Sequence, residues 1–176
     1  GTNVLGASTA VYTDNSGINK QNNRTLRTAS IGVAAQKLLT QGSFELTSDN
    51  WTFSGASAAK TKPRTGFYSM KGVTSAASAT ASATRTSMAL TSGTTYTLSA
   101  YVNTTALTSI TGSGVYMRVT ESNGTTHTSE AVKYVTSSSV DNGWVRIALT
   151  FTATTSGTTT VGIYGTGIVG TFYVDD

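Results

Sequence analysis

The stretch TTYTLSAYVNTT, residues 94–105, constrains the fold of this chain most. Tyr96, Leu98, Ala100 and Val102 fall on one face and Thr97, Ser99, Tyr101 and Asn103 on the other, the period of two expected of a strand with one buried side. The same rhythm returns in WVRIALTFTAT (144–154), where Val145, Ile147, Leu149 and Phe151 are expected to face in and Trp144, Arg146 and Ala148 out. It appears again in GVYMRVTES (114–122), which sets Val115, Met117 and Val119 against Tyr116, Arg118 and Thr120. Shorter versions are TVGIYGTG (160–167) and TFYVDD (171–176). FYSMKGV (67–73) and SATRTSMAL (82–90) bring the expected count to about eight strands, and TSAASATASAT (74–84) reads as a solvated strand, because Thr and Ser alternate with Ala, with a loose loop as the alternative. Ser-Asn-Gly (122–124) and Asp-Asn-Gly (141–143) supply the positive φ of tight turns. Short strands in this number point to an all-β fold, a two-sheet β-sandwich of jelly-roll type.

Composition agrees and closes off other classes. Only 11% of the residues are charged, against about 25% in an average soluble domain. Ser and Thr make up about a third of the chain and proline occurs once, so hydroxyls replace ions on the surface. The net charge of +4 is spread over twelve basic residues without a continuous stripe, and no nucleic-acid partner is expected. The lack of cysteine removes disulfides, thiol nucleophiles and most structural zinc designs. No apolar run approaches the roughly 20 residues that span a bilayer, and GTNVLGAST lacks the order of a signal peptide, so no membrane insertion is expected and the chain reads as a segment of a longer parent with neighbouring domains.

Catalytic constellations find little support. His127 is the sole histidine and reads as a solvated loop residue with no partner by spacing. Glu121 and Glu130 flank one expected turn and read as surface charges rather than a glycosidase pair. Lys60, Lys62 and Arg64 around Pro63 read as an exposed loop. The chain is therefore expected not to be an enzyme.

From Leu38 onward the pieces LLTQGSFE, Trp51 with Ser54-Gly55, TGFYSMKG, SGTTYTLSAYVNTT, DNGWVRIALTFTA and GTTTVGIYGTGIVGTFYVDD follow one another in an order that resembles jelly-roll carbohydrate-binding modules of the family four, nine and twenty-two type. It resembles in particular the copies found in large wall-associated or YD-repeat surface proteins of Gram-positive bacteria. On this resemblance residues 38–176 form the module and residues 1–37 a connector with a possible first strand, TASIGVAA. The resemblance implies an extracellular, non-catalytic module that binds polysaccharide or cell-wall glycan. It also implies a structural Ca²⁺, with Glu45 and Asp175 as side-chain ligands and Gly42 and Lys71 as backbone candidates; the alternative is that both acids are solvated strand ends. Gln41 stands where relatives often carry Asn.

Sugar sites in such sandwiches stack a pyranose on an aromatic plate and hold its hydroxyls with planar polar groups. The outward candidates are Tyr101, Tyr116, Trp144 and Tyr164, with Arg118, Arg146 and Asn103 as polar partners. Trp144 could instead only cover the sandwich edge, and Trp51 reads as core rather than platform. A ligand-free structural spacer or adhesion domain of a large wall-associated or toxin-delivery protein is the competing function.

Overall fold

The computed structural model describes Phe44, Glu45, residues 51–134 and residues 141–176. The connector expected at 1–37 and the carbonyl candidate Gly42 lie outside the described residues. Within them the elements are β1 (Thr52–Ser54), β2 (Ala56–Ala59), β3 (Ser69–Thr74), β4 (Thr80–Leu90), β5 (Thr95–Thr120), β6 (Thr126–Thr128), a single 3₁₀ turn (Asp141–Gly143), β7 (Trp144–Thr152) and β8 (Gly157–Asp175). All strand pairings are antiparallel. Among the described residues no helix is long and apolar enough to cross a membrane.

Two long strands organise the molecule. β5 and β8 pair from Tyr101↔Asp175 to Thr120↔Thr160, and their register shifts three times, at Asn103/Ala106, Leu107/Ser109 and Ile110/Gly114. Such irregularities bend a strand and let it pass from one layer to the other. On one side of the bend the ladder runs β2–β3–β8–β5–β7, using Gly170–Asp175 of β8 and the first half of β5. On the other it runs β1–β4–β8–β5–β6, using Gly157–Thr166 of β8 and Gly114–Thr120 of β5. We call these the first and second layers. Where the long strands bend, Gly167 takes a φ of +63°, and a Cβ on Gly112 would stand 2.7 Å from the Gly167 Cα, so neither position accepts a larger residue without a shift.

The apolar faces of both layers meet in one core. Val102, Ile147, Leu149, Phe151, Met70, Phe172 and Val174 come from the first layer; Ala81, Ala83, Met117, Val119, Val161 and Ile163 come from the second. Tyr96, Leu98, Ala100 and Val102 point inward as their alternation predicts. Trp51 packs on Phe44 at 5.1 Å between ring centroids and joins the core margin, the structural role expected of it. In β7 the alternation holds from Arg146 on, but Val145 is 36% exposed on an edge strand while Trp144, expected to face away, is buried. In the segment 74–84 Thr74 ends β3 and strand resumes at Thr80; residues 75–79 form a turn closed by Ala79 N–H donating to Ala76 O.

Candidate functional site

The seven carbohydrate candidates do not converge on one place; the layers separate them into two groups. Tyr116, Arg118 and Tyr164 share the outer face of the second layer. Tyr101, Asn103, Trp144 and Arg146 share that of the first.

The second-layer face is built by register. Ser54, Ser82, Tyr164 and Tyr116 are cross-strand neighbours in one row, and Thr52, Thr84, Gly162, Arg118 and Thr128 make the next. Thr86, Thr160, Thr120 and Thr126 form a third, in which the Thr86 and Thr160 hydroxyls hydrogen-bond at 2.9 Å. The Tyr116 and Tyr164 rings stack at 5.7 Å with an interplanar angle of 19°. The Arg118 guanidinium lies over the Tyr164 ring at 4.2 Å. Gly162 makes this possible: a Cβ there would stand 2.7 Å from the Tyr164 Oη and 2.8 Å from its Cζ, so the missing side chain lets the phenol lie flat across the sheet. Two half-buried aromatic plates thus sit among hydroxyls, with a single charged side chain in the three rows.

The first-layer face is covered by the loop 60–68, which contradicts its reading as an exposed loop of cations. Arg64 lies on the Tyr101 ring at 3.5 Å and pairs through Nε with Asp141 at 2.9 Å and through Nη1 with Asp176. Lys62 Nζ donates to Asn103 Oδ1 at 3.2 Å and Thr105 Oγ1 at 3.1 Å and stands 6.0 Å from the Tyr173 ring centroid. Lys60 stands over Tyr68. Tyr101 therefore has its face taken, and Asn103 is fully buried, its amide donating to Asn142 O. Trp144 is the cross-strand neighbour of Asn103 and is buried; Arg146, opposite Tyr101, is exposed.

Glu45 and Asp175 meet the same loop. Glu45 accepts from Phe67 N–H (2.8 Å to Oε2) and Tyr68 N–H (3.2 Å to Oε1). Asp175 Oδ2 accepts from Arg64 N–H at 2.6 Å and Thr65 N–H at 3.0 Å, and its Oδ1 from Asp176 N–H. Asp175 is fully buried, and burial pushes its pKa up against those three amides, with the Asp176 charge adding to the rise. Among the described residues neither carboxylate has an ion pair. Among the described residues no group of three or more acidic or histidine side chains stands together, so a hard cation here would take most of its oxygens from carbonyls. Lys71 lies in mid-strand between Ser57 and Tyr173, so its carbonyl is directed to a neighbouring strand.

His127 and Glu121 correct their reading as solvated loop and surface charge. His127 sits in β6, its ring stacked on Phe151 at 4.5 Å, and its Nε2 is 2.6 Å from Glu121 Oε1. Glu121 is buried and accepts from Thr154 N–H, Thr154 Oγ1 and Thr155 N–H as well. Burial opposes its ionisation, but these donors outweigh it and hold its pKa at about 2. The pair ties the β5–β6 turn to the β7–β8 loop, a structural clasp. Their spacing of six residues across Ser-Asn-Gly was the available signal, since the turn closed by Gly124 N–H on Glu121 O folds one against the other.

No family model matches the sequence, and no curated protein does. Among solved structures, "Family 16 Carbohydrate Binding Module-2" superposes with a TM-score of 0.56 at 20% identity, over 80% of this chain and 96% of that one. The chain has the jelly-roll fold of carbohydrate-binding modules. The CBM22-1 xylan-binding domain from Paenibacillus barcinonensis is similar with a TM-score of 0.52 at 16% identity, over 76% of this chain and 87% of its own. The N-terminal cellulose-binding domain of Cellulomonas fimi beta-1,4-glucanase C gives 0.52 at 17% identity, over 80% and 94%.

Proposed function

We propose that this chain is a non-catalytic glycan-binding module whose ligand lies across the outer face of the second layer, over Tyr116 and Tyr164. The stacked tyrosine pair on a hydroxyl-rich, charge-poor sheet carries this reading. The C–H face of a pyranose needs an apolar plate, and its hydroxyls need partners that Thr84, Ser82 and Thr128 are placed to supply. The xylan and cellulose binders of the same fold support a polysaccharide as the ligand.

Glu45 and Asp175 would hold a structural calcium ion, joined by carbonyls of which Gly42 is a candidate. When bound, such an ion would cross-link segments 130 positions apart (175 − 45) and supply the counter-charge the buried Asp175 lacks. A cysteine-free, Thr-rich chain fits an extracellular, wall-associated domain of a Gram-positive surface protein, with further domains in the parent.

The test is affinity electrophoresis of the domain through gels containing xylan, mixed-linkage β-glucan, polygalacturonate or bacterial wall polysaccharide. Retardation by at least one, lost in the Tyr116→Ala, Tyr164→Ala double variant, is the expected result. A wild-type domain that no polysaccharide retards would leave the structural spacer as the better reading.

A further inference from the structure

Arg118 gives the platform a chemical preference. Its strand position is central: Gly162 of β8 lies to one side and Thr128 of β6 to the other. Its guanidinium is pinned over Tyr164, and its Nε is buried without a hydrogen-bond partner. Among the described residues no side-chain hydrogen bond or ion pair is formed by its guanidinium, and its one cation–π partner is the Tyr164 ring. The other side chains in the three rows are Ser, Thr and Tyr, so nothing on the face neutralises it. Arg64, by contrast, has two carboxylates of its own.

A guanidinium carries five donors and no acceptor, in a planar fork that matches a carboxylate. The contact with Tyr164 holds that fork over the platform, so less freedom remains to be lost when an acceptor arrives. A neutral sugar offers only hydroxyls, whereas a uronic-acid residue stacked on Tyr116 and Tyr164 would bring a carboxylate within the reach of the fork. Resting on the platform reading above, we infer that the outer face of the second layer selects acidic glycans, with Arg118 receiving the carboxylate of a uronic-acid residue and the two tyrosines holding sugar rings.

The preference is measurable by calorimetry on the intact chain with tetragalacturonic acid and with its full methyl ester, which keeps the rings and removes the charge. The acid is expected to bind about ten- to hundred-fold tighter than the ester, the range of a charge-assisted hydrogen bond. Arg118→Gln should bring the acid down to the level of the ester. Arg146→Gln, which removes an equal charge from the exposed side of the other layer, should leave the ratio intact and so separates the fork from the net charge of +4. Equal binding of acid and ester overturns the inference while leaving the platform standing. Stronger binding of a sulfated oligosaccharide than of the acid overturns the carboxylate assignment. Loss of the ratio in Arg146→Gln assigns it to net charge and also overturns the inference, and binding of no saccharide overturns platform and preference together.

Discussion

Replacing Gly162 by alanine separates binding from stability. The added Cβ would stand 2.7 Å from the Tyr164 Oη and 2.8 Å from its Cζ, inside contact distance. The ring is half-buried and can swing outward, losing its stack on Tyr116 and its place beneath Arg118. An aromatic pair is worth about 0.5–1.5 kcal/mol and an exposed cation–π contact about 0.5–1 kcal/mol. Against this loss, alanine in a strand gains about 0.5–1 kcal/mol over glycine. The net cost in stability is therefore about 0–2 kcal/mol, a fall in melting temperature of at most about 8 °C for a chain of this size. Binding suffers more, because a ligand that needs the ring flat must force it onto the new methyl at an overpacking cost of about 1–3 kcal/mol. That cost lowers affinity by about five- to hundred-fold. Calorimetry of binding together with differential scanning calorimetry reads both quantities. A Gly162→Ala domain that binds with wild-type affinity would refute the use of a flat Tyr164 as a plate.

Three further outcomes follow from the other clusters. Millimolar calcium added to chelated protein should stabilise by about 4 kcal/mol if the site is micromolar, raising the melting temperature by about 10 °C; an unchanged melting temperature, with no metal in native mass spectrometry, would remove the ion. Glu45→Gln should abolish most of that rise and magnesium should substitute poorly, because calcium takes charged oxygens in irregular geometry whereas magnesium demands near-ideal octahedra. Glu121 is held below its ordinary pKa of 4.5 at about 2, so its stabilising contribution is complete above about pH 4.5 and disappears as pH falls through 2. A Glu121→Gln variant should melt lower at pH 7 and lose less stability than wild type between pH 5 and 2; parallel curves for the two proteins would contradict the assignment.

Local alternation revealed the core faces because burial on one side of a sheet imposes a period of two on nearby residues. It could not reveal that 94–105 and 114–122 are ends of one strand, since ALTSITGS between them has no such period and the register there shifts three times. The short strands Ala56–Ala59 and Thr126–Thr128 carry no alternation of large apolar side chains and exist through pairing with β3 and β5. Tyr116, Arg118 and Tyr164 were legible as outward residues, and cross-strand register is what made them neighbours. Tyr101 was equally outward by its period, but its cover, Arg64, lies 37 positions earlier (101 − 64) and is anchored to Asp176 at the far end of the chain, a contact no local pattern carries.

Amide chemical-shift mapping during titration with the polysaccharide that retards the domain most tests the platform directly. Shifts should gather on Tyr116, Arg118, Tyr164, Gly162, Thr84 and Thr128, and the Trp144 indole, on the other layer, should stay still. Shifts centred on Tyr101, Trp144 and Arg146 would place the ligand on the first layer and contradict the account.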